Sequence, residues 1–314
     1  MPRVKANFGI LGGSVQPISG SRAGLYQSYD QFTAARQGVW PTLPRNVPAS
    51  VNYLVVAGGG SGGCDIAGGG GAGGLLTGNL NVSLGTTCTI TVGAGAPQNT
   101  TAAYAQPGIT GSNSSFSNGV TTITSIGGGG GAGLSGAAKS GGSGGGGDYN
   151  SVAGASGTAG QGNAGGRSGP TYMGGGGGGA GGTGGAGPGG PGLYSTISGA
   201  NVAYAGGGGG GVLNQSRQPG GVGGGGAGGL STGGFPDSGN VNTGGGGGGG
   251  SWNTNGSGGP FPAHSFGAAG GSGIVIVRYS DSFDNASSTT GSPTLTTVDG
   301  FKIYTWTGDG SITF

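Results

Sequence analysis

The chain has 314 residues, 94 of them glycine, with 32% hydrophobic and only 6% charged residues and a formal net charge of +2. No strict Gly-X-Y period runs through it, which excludes a collagen triple helix. Scarce charge and apolar residues gathered in β-type runs speak against a disordered linker.

Residues 1–50 carry Arg3, Lys5, Arg22, Arg36 and Arg45 against the single Asp30. The rest of the chain has the other five basic and the other seven acidic side chains. A basic arm ahead of a nearly neutral body reads as an extended docking segment for an acidic surface. Nucleic acid is not an expected partner, because Arg-Gly-Gly repeats are missing and basic residues are not interleaved with aromatics. The start MPRVKANFGILGG has no secretory apolar run, so synthesis and folding in the cytoplasm are expected. The longest apolar runs, such as Ile274–Val277, are far too short to span a bilayer, and no membrane insertion is expected.

Strands are predicted at Tyr53–Val56, Thr87–Val92, Thr121–Ile126, Gly273–Tyr279 and Gly300–Thr307, each β-branched or aromatic and bounded by turn formers. Asp299-Gly300 is a hairpin signal, and the GDG at 308–310 is read as a second. No helical periodicity occurs, and the glycine content opposes helices. Cys64 and Cys88 are too few for a disulfide framework and have no metal spacing. They read as free buried thiols, with one staple between neighbouring segments as the alternative.

Between the strands lie glycine blocks, roughly 57–74, 127–133, 141–147, 153–170, 174–192, 205–211, 219–229, 244–250 and 267–273. GGGGAGGLLTG at Gly68–Gly78 recurs as GGGGAGGLSTG at Gly223–Gly233, which points to stacked units. An extended threefold helix has no internal hydrogen bonds, so its N–H and C=O groups must pair with neighbouring segments. Glycine permits this because no Cβ holds the segments apart. Each glycine is about 0.5–1 kcal/mol harder to order than alanine, and each hydrogen bond returns about 0.5–1.5 kcal/mol net. A lattice of such rods is therefore viable only when nearly every backbone group is paired. Seven glycines, as in Gly244–Gly250, would make a rod of roughly 22 Å. The fold class expected is all-β plus packed polyglycine II helices, a glycine-rich layered sandwich flanked by short strands and hairpins, without α-helix. The divisions are 1–50 as the docking arm, 51–281 as the glycine-rich body and 282–314 as a C-terminal β-hairpin segment.

Catalytic signals are thin. GxGxxG is satisfied by any six-glycine run and carries no weight. The only histidine is His264, glutamate is absent, and no nucleophile-elbow motif is present. No enzymatic activity, cofactor or metal is expected.

The strings YLVVAGGGSGG, GGGGAGGLLTG, TVGAG, TAGQGNAGG and GSGIVIVRY, over about Val51–Asp281, resemble the glycine-rich domain of virion proteins of tailed phages, especially marine ones. The tail VDGFKIYTWTGDGSITF at 298–314 is also typical of them. The architecture is similar to the long-tail-fibre-tip adhesins of T-even-like phages, whose core is a sandwich of polyglycine helices. The resemblance implies a structural virion protein of the tail-fibre class, exposed on the particle. Residues 1–50 would dock onto other virion proteins of the fibre or capsid, and loops would touch a bacterial cell-surface receptor or glycan. A capsid decoration or head-fibre protein is the alternative. An ice-binding protein and a cell-wall or matrix glycine-rich protein rank below both.

If consecutive rods alternate in direction, one end of the body collects loops 134–140, 167–173, 212–218 and 251–266. The opposite end collects 148–152, 193–204 and 230–243. The first set holds Arg167, Tyr172, Met173, Arg217, Trp252, Phe261, His264 and Phe266. Aromatic and arginine side chains dominate binding hot spots, so these eight are the receptor-contact candidates.

Overall fold

The computed structural model describes residues 45–100, 106–134, 136–150, 153–252 and 265–314. The chain divides after Asn46 into two units, and the larger one, Val47–Phe314, holds every strand found among the described residues. Among the described residues there is no α-helix. The β-branched runs form β1 (Ser50–Val56), β3 (Thr87–Thr91), β5 (Thr122–Ser125), β8 (Ile274–Ser280) and β11 (Phe301–Trp306), close to the predicted bounds. Less apolar sequence supplies β2 (Leu75–Asn81), β4 (Ser114–Ser117), β6 (Leu193–Ser195), β7 (Val202–Tyr204), β9 (Ser288–Thr290), β10 (Thr294–Val298) and β12 (Gly310–Thr313).

Two antiparallel five-stranded sheets face each other. One has the order β10-β11-β8-β1-β2 and the other β5-β4-β3-β12-β9; β6 and β7 form a separate hairpin. Between the sheets lies a core that includes Val55, Ile90, Phe116, Val277, Trp306 and Ile312. The first sheet is buried on its other face too, where Leu54, Val56, Ile274, Ile276 and Ile303 meet Ala72, Ile197, Tyr204 and Ala205. Burial on both faces explains why β1 and β8 read as continuous apolar runs rather than alternating ones. The segment 282–314 completes both sheets. β10 and β11 pair across Asp299-Gly300, with positive φ at both residues, as the two-residue hairpin requires. The GDG at 308–310 makes no hairpin: β11 belongs to the first sheet and β12 to the second. Asp309 instead accepts a hydrogen bond on Oδ1 from the Val92 N–H at 2.8 Å, tying the crossing to the end of β3.

At Val56 the chain leaves the sandwich and enters the glycine lattice, where residues 57–75 are all buried. The hydrogen bonds of this stretch have a period of three. Gly58 and Ser61 donate to Ser112 and Ile109, Gly59 and Gly62 to Gly271 and Ala268, and Gly60 and Gly63 to Gly71 and Gly68. Each rod thus turns a third of the way per residue and addresses three neighbours in rotation, the polyglycine II arrangement. In Gly244–Gly250 every N–H donates and every C=O accepts, all seven of each, with Thr243 Oγ1 serving Gly245. Close approach leaves no room for a side chain. A Cβ on Gly68 would lie 1.9 Å from the Gly146 carbonyl oxygen, and one on Gly246 2.0 Å from that of Gly70. Alanine is used where the lattice meets the first sheet, as at Ala72 and Ala205.

The two copies of the repeated motif are not stacked equivalents. Rod 205–211 runs alongside 223–229, with Gly206 and Gly209 donating to Gly223 and Gly226, but opposite to 67–74, with Gly208 and Gly211 donating to Gly70 and Ala67. The copies therefore run in opposite directions. Gly223 and Gly224 also take φ of +95°, the turn that starts the second copy.

Candidate contact surface at the loop end of the lattice

The last layer of the lattice is a continuous set of bonds. Gly63 donates to Gly68, Gly68 to Ala132, Ala132 to Gly146, Gly147 to Gly166, Gly174 to Gly211, Gly211 to Ala67 and Gly250 to Gly63. The connections beyond these residues emerge side by side. Loops 167–173, 212–217 and 251–252 meet as the alternating scheme expects. Gly169 and Met173 bridge each other, Met173 bridges Val212, and the Leu213 N–H donates to the Tyr172 carbonyl at 3.0 Å. The Ser251 hydroxyl donates to the Val212 carbonyl.

Loops 148–152 and 230–243 were expected at the opposite end, and the structure corrects this for 148–150 and 230–235. The ring of Tyr149 lies 5.4 Å from that of Tyr172, and the Asn214 N–H donates to Ser231 Oγ at 3.1 Å. The reason is that the long blocks double back. The 153–170 block turns at 158–161, with Gln161 donating to the Thr158 carbonyl and Gly165 to that of Ala155. The 174–192 block turns near 181, with Gly179 donating to Gly182 and Gly176 to Gly185. A reversal also falls at 222–225, within 219–229, and returns the chain to the loop end before residue 230. Of the set expected opposite, the 193–204 hairpin does lie away from the loop end, packed on the first sheet through Ile197 and Tyr204.

Tyr172 is 54% exposed, held at the tip by left-handed backbone at Thr171 and Tyr172. Arg167 is exposed, Met173 and Phe266 are half-buried, and Trp252 is 41% exposed. Arg217 is engaged within the loops: Nε donates to the Gly228 carbonyl and Nη2 to that of Phe235, both at 2.8 Å, and Nη2 pairs with Asp237 at 2.9 Å. It clamps 212–217 to 230–237. Phe261 and His264 lie outside the described residues, as do the docking candidates Arg3, Lys5, Arg22 and Arg36. Ser251 and Ser265 close the base of that stretch, each backbone N–H reaching the other serine. Arg45 falls in the first unit, Met1–Asn46.

Sequence reasoning put Tyr149 and Phe235 at the opposite end and passed over Leu134, whose loop it did expect here; Leu134 and Phe235 are 42% and 55% exposed. Only the turns concealed inside glycine runs separated Tyr149 from Tyr172 in the sequence. Beneath the tyrosines lie two buried acids, Asp65 and Asp148. Burial pushes the Asp148 carboxyl up, opposed by hydrogen bonds from Asn150. Burial and then the Asp65 charge push the Tyr149 phenol up, and burial does the same to the Cys64 thiol. Cys64 and Cys88 are both free and buried, and the Cys88 thiol is pushed up to about 11 by burial. Among the described residues no group of three or more His, Cys, Asp or Glu side chains is placed to hold a metal. The surface offers ring faces, phenol hydroxyls and a guanidinium on a pinned backbone, which is the chemistry of noncovalent recognition.

Residues 34–280 match the model of a family described as a glycine-rich domain. The chain belongs to that family. No curated protein matches it. Its glycine runs pack in the lattice, and loops 148–150, 167–173, 212–217 and 230–235 gather at one end of it.

Proposed function

We propose that this glycine-rich protein is a non-enzymatic structural component of a phage virion, of the tail-fibre or adhesin class, and that the loop end contacts the bacterial surface. The observation that carries the reading is the gathering of Tyr149, Tyr172, Trp252, Phe235 and Arg167 at one end of a lattice of hydrogen-bonded rods. Loops anchored at both ends by such a lattice lose little freedom on contact, so binding energy is not consumed in ordering them. Exposed aromatic rings supply stacking faces for sugars or apolar groups, and the surrounding hydroxyls supply hydrogen bonds. In this reading residues 1–50 dock onto a fibre or capsid partner.

Immunogold electron microscopy of the particles, with an antibody against 167–173, tests the assignment. Label at tail tips or fibres is expected. Label confined to the head would make the protein a capsid decoration and overturn the adhesin reading. Binding of the purified chain to host cells should fall at least tenfold for Tyr172→Ser, the loss of roughly 1.4 kcal/mol at a hot spot, and should not change for the distant Tyr194→Ser.

A further inference from the structure

The second sheet turns one face to the core and the other outward, and the outward face is made of one kind of side chain. In β3, Cys88 and Ile90 go inward, so Thr87, Thr89 and Thr91 go outward and are exposed. The register carries this pattern across the whole sheet. Thr290, Ser311, Thr89, Ser117 and Thr122 form one row from edge to edge. Thr91, Ser115 and Thr124 form the next row, and Ser288, Thr313 and Thr87 form the row on the other side. Every residue in these rows is serine or threonine, with no charge, ring or large apolar group among them. Those on β3, β5 and β9 are exposed, and those on β4 and β12 are half-buried. Neighbouring strands lie about 4.8 Å apart and alternate residues of one strand about 6.7 Å apart, so the hydroxyls stand on a grid. Hydrogen bonds fix part of it. Thr290 Oγ1 pairs with Ser311 Oγ and Ser117 Oγ with Thr122 Oγ1, both at 2.8 Å, and Thr87 Oγ1 pairs with Thr313 Oγ1 at 2.9 Å. The Thr89 and Thr91 hydroxyls, on the central strand, have no protein partner among the described residues. The grid is backed by Ile90, Phe116 and Ile312 in the core. Gln161 holds its β5 edge, Nε2 donating to the Thr124 carbonyl at 3.1 Å and Oε1 accepting from the Ile126 N–H at 2.8 Å.

Such a face suits few partners. Protein hot spots are built from Trp, Tyr and Arg, with Ser and Thr under-represented, and nucleic acid requires cations. No ring face is offered for a sugar to stack on. A hydroxyl donates one hydrogen bond and accepts two, which makes it the side-chain group most like water. We propose that this face binds ice. The hydroxyls take the places of water molecules in the outermost layer of the crystal, and the threonine methyls fill gaps in that layer. The absence of charge removes the tightly hydrated ions that would hold the lattice off. Twist of about 20–25° between neighbouring strands limits flat contact to β3 and the two strands beside it, β4 and β12. The expected activity is therefore crystal shaping and inhibition of recrystallisation rather than a large depression of the freezing point. The glycine blocks differ in length and give no such repeat, whereas the sheet does. None of the loop-end residues takes part, so this activity and the adhesin reading can each fail alone.

The test grows ice slowly in a solution of the full chain and measures the fraction of protein taken into the crystal, together with crystal shape and the rate of recrystallisation. Enrichment in the ice, faceted crystals and slowed recrystallisation are expected. Thr89→Lys places a long, hydrated cation at the centre of the face and should abolish all three. Thr294→Lys, also exposed but on the edge of the first sheet, should keep them. Exclusion of the wild-type chain from ice would overturn the proposal. Binding to crystalline cellulose powder with exclusion from ice would overturn it in favour of a polysaccharide. Retained activity in a folded Thr89→Lys variant, or a loss shared by Thr294→Lys, would also overturn it. If Thr89→Lys does not fold, Thr91→Lys on the same strand takes its place with the same expected loss.

Discussion

Val55, Val277 and Trp306 are shut between two sheets, and their stability comes from apolar surface removed from water. A few residues downstream of Val55, Gly58–Gly63 has almost no side chain to bury, yet it is just as inaccessible to solvent. There each N–H finds one of three neighbouring rods in turn, and close contact between backbones replaces interdigitating side chains. The difference teaches that two routes lead to a dense interior. In the sandwich, error tolerance lies in side-chain volume. At the packed glycines of the lattice no such tolerance exists, because a single methyl there would overlap a carbonyl.

The comparison is broken most forcefully by emptying the sandwich. Phe116 is fully buried, with the Tyr53 ring 6.0 Å away. Phe116→Ala should cost about 3–5 kcal/mol, read as a drop in the denaturant midpoint. Filling the lattice is the inverse experiment. A Cβ on Gly208 would lie 2.1 Å from the Gly247 carbonyl oxygen, whereas one on Gly308 has nothing within 4 Å. Gly208→Ala should cost about 3 kcal/mol, the upper end of overpacking penalties, while Gly308→Ala should be silent. If both alanines were silent, the rods would not be in contact.

Smaller effects sharpen the contrast at the loop end. Arg217→Ala removes two bonds to carbonyls and a half-exposed ion pair, and should cost about 1 kcal/mol. Its mark should be faster amide exchange in 230–237, with little change at β1 or β8. Asp148 gives a pH signature. Its carboxyl titrates higher in the folded state than in the unfolded chain, so folding binds its proton more tightly. That contribution to stability is complete below the ordinary carboxylate value of about 4 and is lost as pH rises through the folded one. Asp148→Asn should abolish this dependence and leave the variant the more stable at neutral pH, as thermal melts across weakly acidic pH would show. The thiols serve as paired reporters, Cys88 in the sandwich and Cys64 at the loop end of the lattice. Both should resist thiol reagents in the folded protein and become reactive together in denaturant. Early labelling of Cys64 alone would mean that the lattice opens by itself.

What was legible in the sequence follows the same division. β1, β8 and β11 announce themselves through β-branched and aromatic residues, and Asp299-Gly300 through turn chemistry. β4 was missed because SSFS has a single apolar residue, and β2 because LLTGNLN follows the glycines without a break. The rods themselves could be argued from the need to pair every backbone group. Their turns could not, since a reversal such as 222–225 within a glycine run changes no residue type. That is why the alternating scheme puts Tyr149 at the wrong end while it puts Tyr172 and Trp252 at the right one.

The measurement that bears most directly on the lattice is native-state amide exchange, with the rods Gly68–Gly74, Ala205–Gly211 and Gly244–Gly250 compared with β1 and β8 in one sample. Exchange of the glycine rods as slow as that of the central strands, released only by global unfolding, is the expected result. Rods that exchange within minutes while β1 and β8 stay protected would contradict it, and would reduce the lattice to a flexible appendage of the sandwich.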